Sequence, residues 1–264
     1  GACARQVVTR EHEDSAMRSA NPALNAKTFD RYRAAAPGAE SMTLEGTVFR
    51  AAFLLLLLVG AALWPWSQHA QGAAPSTLMG YLLVGMIGGL IVAMVCVFRP
   101  TTAPVTAPLY AVLEGLALGT LSAILERRFP GIVIQAVTLT FGVFTVLLLA
   151  YQTRLIKATE NFKLGVVAAT GGIFLVYLVS FVGGFFGLRM PFIHSSGTFG
   201  ILFSLFVVGI AALNLVLDFD FIEKGAESGA PKHMEWYGAF GLIVTLVWLY
   251  IEILHLLSKL RSRN

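Results

Sequence analysis

Four ionisable side chains interrupt or close otherwise apolar stretches of this 264-residue sequence, and their types limit the chemistry open to it. Asp218 closes the run Leu213-Asn214-Leu215-Val216-Leu217-Asp218, and the half-apolar residues after it allow a helix to continue to about residue 223. Glu252 lies in Trp248-Leu249-Tyr250-Ile251-Glu252-Ile253-Leu254-His255, with no Lys or Arg within a helical turn and His255 at i+3. Glu114 is mid-run in Leu113-Glu114-Gly115-Leu116, and Arg99 ends another run. Placing such groups in hydrocarbon costs several kcal/mol on most scales, roughly 2.5–3.5 at the low end. Each also has a plainer reading. Asp218 can end a helix at the interface, and Glu252 can be a protonated group making one structural hydrogen bond. Glu114 can be a packing carboxyl rather than a pore residue, and Arg99 a snorkelling anchor rather than a counter-ion.

If Asp218 and Glu252 meet, their chemistry is constrained. Desolvation disfavours the charged form of each, and like charge disfavours the second ionisation further. Such a pair shares one proton and titrates as a unit. Protonated once, it is a hydrogen bond tying two helices together. Fully ionised, it is a divalent site of hard oxygen ligands, which suits calcium. Proton loss would then open a latch and create a cation site in one event.

The elements that must position these groups are membrane helices. A bilayer core of about 30 Å needs about 20 mostly apolar residues of helix. Seven such runs occur, at 48–66, 78–98, 104–125, 132–150, 164–186, 197–219 and 236–258. Only helices and closed barrels satisfy the backbone in lipid, and the short alternating strands of a barrel are absent. The expected class is therefore an all-α integral membrane protein with seven transmembrane helices in a bundle. Its linkers are short, the longest polar one spanning 220–235. Gly115 and Gly119, with Gly88-Gly89, Gly171-Gly172 and Gly183-Gly184, permit close helix approach within one chain or between chains.

Composition agrees. Hydrophobic residues make up 56% and charged residues 13%, with mean hydropathy +0.74. A soluble domain carries about 25% charged residues, so an ordinary cytosolic enzyme and a disordered chain are excluded. The net charge of +4 is spread between apolar runs rather than gathered in a patch, so no nucleic-acid partner is expected. Cys3 and Cys96 fall in a polar tail and an apolar run, which disfavours a disulfide, and no zinc spacing is present.

Residues 1–41 read as a disordered polar segment, 42–260 as the membrane domain and 261–264 as a tail. Residues 1–16 share no pattern with the rest of the chain and read as either an upstream extension or an expression remnant ahead of a start at Met17. No cleavable signal peptide is expected, since the first 47 residues are polar. Thirteen Lys and Arg fall on one side of the seven runs and six on the other. That bias puts the N-terminus in the cytoplasm, although Lys259, Arg261 and Arg263 oppose it.

Three motifs carry a family resemblance over about residues 42–260. Ala107-Pro108-Leu109-Tyr110-Ala111-Val112-Leu113-Glu114-Gly115-Leu116 resembles the third-helix signature of the Bax inhibitor family. Leu217-Asp218-Phe219-Asp220-Phe221-Ile222 resembles its sixth-helix Tyr-Asp-Thr-Gln segment, and Leu249-Tyr250-Ile251-Glu252-Ile253-Leu254 its seventh-helix Leu-Tyr-Leu-Asp segment. The start near Met17 and Glu235-Trp236-Tyr237 are most similar to the bacterial branch. The resemblance implies a central seventh helix and a pH-sensitive calcium leak in the bacterial inner membrane. It makes Asp218 and Glu252 the gating and calcium-binding acids, with Arg99 as partner of the open state. Three departures stand out. Glu252 replaces the usual Asp, Asp220 stands where Gln is usual, and the linker before the last helix is longer than in compact relatives, which bears on the relative depth of the two acids.

The expected function is thus a proton-gated calcium-permeable channel whose partners are the bilayer, calcium and protons. Glu114, Arg99, Asp220 and His255 are candidate pore or latch partners, and no cofactor is expected. A non-conducting scaffold that modulates a membrane protein partner, such as a membrane protease, is the alternative. No enzyme is expected, because His-Glu-x-x-His, Gly-x-Ser-x-Gly and the paired-Asp protease pattern are all missing. A retinal protein would need a buried Lys in the last run, which has only Lys259 at its end.

Overall fold

The computed structural model describes residues 41–185 and 197–263. Cys3, Arg189, His194 and the segment before Ser41 lie outside the described residues. Among the described residues seven α-helices run in order: α1 Leu44–Ala70, α2 Pro75–Phe98, α3 Ala103–Arg128, α4 Ile132–Gln152, α5 Glu160–Phe185, α6 Thr198–Glu227 and α7 Met234–Arg263. A 3-10 turn, Pro100–Thr102, joins α2 to α3. Each of the seven is long and apolar enough to cross a bilayer. Among the described residues there is no strand, only an isolated bridge between Ser41 and Pro231.

Local chemistry sets the helix ends. Thr43 caps α1 by accepting the Gly46 N–H at 3.0 Å, and Pro75 stands in the first turn of α2, where its missing N–H costs nothing. Glu126 accepts the N–H groups of Gly131 and Val133, at 2.5 and 3.0 Å, and so caps the start of α4. α6 ends in a Schellman motif. Gly229 has φ +67, its N–H bonds to Ala226 O, and the Ala230 N–H reaches back to Gly225 O at 3.1 Å.

That motif lies later than the sequence suggests. Most of the polar stretch 220–235 is helical, extending α6 by about two turns beyond Asp218 and starting α7 at Met234. The true linker is 228–233. At 30 residues each, α6 and α7 are about 45 Å long, well beyond a bilayer core. α7 buries the largest share of its apolar length, 61%.

The described chain forms two compact units, 134–185 with 197–221 and 245–263, and 41–133 with 222–244. In the second unit, α3 packs against both α1 and α2 through glycine. A Cβ on Gly115 or Gly119 would overlap the backbone oxygens of Leu58 or Ala62, and one on Gly85 would meet Leu113 O at 2.6 Å. Gly171, Gly172 and Gly184 meet nothing within 4 Å among the described residues, so they serve no close contact there.

Candidate functional site

Glu252 is 3% exposed on α7. The Tyr177 hydroxyl, from α5, donates to its two oxygens at 3.0 and 3.2 Å. The Trp248 indole N–H, one turn earlier on α7, donates at 3.3 Å. His255 Nδ1 is 4.0 Å away, and the imidazole is exposed. Tyr177 is itself set by an edge contact with Phe203 of α6, at 6.2 Å between rings. Two turns beyond Glu252, Lys259 donates to Ser204 Oγ at 2.8 Å and to Gly200 O at 3.2 Å.

A second set of polar contacts involves α6 residues on either side of Asp218, which is fully buried. One turn earlier, Asn214 Nδ2 donates to Thr170 Oγ1 of α5 at 2.9 Å and to Ile210 O at 2.8 Å. Asp220 is paired with Lys163 of α5 at 2.8 Å, and Lys163, only 1% exposed, also reaches Glu160 at 3.4 Å. Asp220 is therefore held in an ion pair with α5.

These contacts fix the helix register. Lys163 with Asp220 and Thr170 with Asn214 run α5 antiparallel to α6 and bring Tyr177 level with about residue 207. Lys259 against Gly200 and Ser204 brings Glu252 level with about 207–211. Asp218 lies seven to eleven residues further along α6, roughly 10–16 Å at the helical rise. Neither oxygen of Asp218 hydrogen-bonds to Glu252. The expected single hydrogen bond between the two acids is thus not formed in this conformation. The physical reason is the linker: its residues became helix, and α7 starts early enough to carry Glu252 past the level of Asp218.

In the other unit, Arg99 is exposed and its N–H closes α2 on Val95 O. Glu114 is half-buried and faces α2 at Gly89, where a Cβ would lie 2.9 Å from Glu114 Oε2. The same unit holds a carboxylate that sequence reasoning missed. Glu235 is fully buried and accepts the Thr43 N–H at 2.8 Å, the Thr43 hydroxyl at 2.7 Å and Lys232 at 3.4 Å. It also pairs with Arg50, whose guanidinium stacks over Trp236 at 5.3 Å. The Met42 N–H donates to Ala230 O at 2.6 Å beside it. This clasp ties the start of α1 to the start of α7. Its signal was present as an acid opening the last apolar run, but its partners are about 190 residues away in the chain. Tyr177, Lys163 and Asn214 were missed for the same reason, whereas Trp248 was within reach of a sequence reading, since it stands one helical turn before Glu252. Among the described residues, no group of three His, Cys, Asp or Glu side chains is placed to hold a metal.

Seven apolar helices with buried carboxylates at two depths define a multi-pass membrane protein. The model of the Bax inhibitor 1 like family matches residues 21–262, nearly the whole chain, and the protein belongs to that family. No curated protein matches the chain. No solved structure matches it either.

Proposed function

We propose that the protein is a pH-sensitive, calcium-permeable leak channel of the bacterial inner membrane, with its N-terminus in the cytoplasm. The observation that carries this reading is the pair of buried acids, Asp218 and Glu252, on consecutive membrane helices with no lysine or arginine salt-bridged to Glu252 among the described residues. A carboxylate in hydrocarbon is costly, and a membrane path for a hard divalent cation needs oxygen ligands. The register turns the shared-proton latch into a ladder, with Glu252 and Asp218 as successive oxygen sites at different depths. Protonation of Glu252 removes its charge while Tyr177 and Trp248 hold its side chain in place. Ionisation makes it a ligand.

Calcium entry into dye-loaded proteoliposomes tests this. Flux is expected to rise with pH, to fall sharply in Asp218→Asn, and to lose its pH dependence in Glu252→Gln. If Glu252→Gln leaves flux and its pH dependence unchanged, the gate is elsewhere. If the wild-type chain carries no flux at any pH, the scaffold reading replaces the channel.

A further inference from the structure

Of the three basic residues that end α7 and run against the charge bias of the chain, Lys259 is held on α6 and Arg261 on α4. Arg261 reaches across to α4 and donates to Gln135 Oε1 at 3.0 Å. That contact puts the last turn of α7 beside the first turn of α4. Immediately inward on α4 lies an open groove of about 320 Å³, lined by Ile134, Gln135, Thr138 and Leu139 and mostly apolar. Its lining spans five residue steps, so it runs about 8 Å from the helix end toward the membrane interior. Thr138 turns its hydroxyl back onto Ile134 O at 2.7 Å, which leaves the groove wall greasy.

We infer that this groove binds an anionic phospholipid, with the phosphate at Arg261 and Gln135 and the upper acyl chain along Ile134, Thr138 and Leu139. Charge and depth are both complementary to such a lipid. The last turn of α7 carries Arg261 and Arg263 and no acid, Glu252 being the nearest acidic residue before them on that helix. A guanidinium is a planar fork of five N–H donors that matches a phosphate in two-point geometry, which an ammonium does not. An open, mostly apolar groove starting directly below the cation leaves room for an acyl chain beside a headgroup. A soluble anion would use the fork but not the groove.

The test is a lipid titration of the purified full-length chain in detergent, read by native mass spectrometry and by thermal unfolding. The probes are dioleoyl phosphatidylglycerol and dioleoyl phosphatidylcholine. The glycerol lipid is expected to bind more tightly and to raise the unfolding midpoint. Arg261→Gln should weaken its binding about tenfold, the value of one charge-assisted contact, and Arg261→Lys should fall between. Leu139→Trp, which fills the groove and keeps the cation, should also weaken it. Equal binding of the two lipids, or an undiminished preference in both Arg261→Gln and Leu139→Trp, overturns the inference. So does an equal stabilisation by inorganic phosphate alone, which would mark a bare anion contact. None of these outcomes depends on whether the protein conducts calcium.

Discussion

The Tyr177 hydroxyl bridges both carboxylate oxygens of Glu252, so the acid of α7 is anchored to α5. A hydrogen bond donated to a carboxylate favours its charged form. Removing it with Tyr177→Phe should therefore move the flux–pH curve to higher pH. Proteoliposome flux measured across pH reads this directly, and an unmoved curve would detach Tyr177 from the gate.

The same geometry gives the proposed gate at Glu252 a side. Glu252 shares its stretch of α7 with His255 and Lys259, toward the C-terminal end of the helix. In vesicles with different pH inside and outside, flux should follow the pH on the C-terminal side. Equal sensitivity to both compartments would count against it.

Lys163 and Asp220 form a buried ion pair, and such pairs are costly to halve. Asp220→Asn removes a carboxylate 2.8 Å from a lysine that is 1% exposed. The expected loss is about 3 kcal/mol, the low end for breaking a buried pair. The double variant Lys163→Met/Asp220→Leu should recover most of it, because neither charge of this pair is then left without the other. Chemical unfolding of the four species in detergent measures the coupling. A double variant as unstable as the sum of the singles would show that the pair does not act as a unit.

Glycines divide into two kinds that the sequence does not distinguish. Gly119→Ala should destabilise by roughly 1–3 kcal/mol, since its methyl would overlap the Ala62 backbone. Gly171→Ala, with nothing near, should be neutral or gain up to about 1 kcal/mol of helix propensity. Thermal unfolding of the two variants side by side decides it.

His233 lies in the loop between α6 and α7, outside the spans, and burial pushes its imidazole below the ordinary range. A histidine that folding keeps neutral is protonated first in the unfolded chain. Its contribution to stability is present at neutral pH and declines as pH falls below about 6.5 toward the lower folded value. His233→Gln should flatten that part of the stability profile, measured by unfolding between pH 5 and 8. An unchanged profile would assign the dependence to other groups.

Sequence by itself determined the architecture. Seven stretches of about twenty apolar residues admit only membrane helices, because a backbone in hydrocarbon must satisfy itself. It also singled out Asp218 and Glu252, since an acid among leucines is conspicuous at any register. It did not determine which residues surround them. The length of α6 was hidden because Asp220, Glu223, Lys224 and Glu227 look like a loop. Helix continues through them because Asp220 finds Lys163 and the chain is stopped only at Gly229. That choice of end slides α7 along α6 and gives Glu252 to Tyr177 rather than to Asp218. Periodicity reports which face of a helix is buried, whereas its axial position against a neighbour is set by contacts between residues far apart in the chain, and only the tertiary structure holds those.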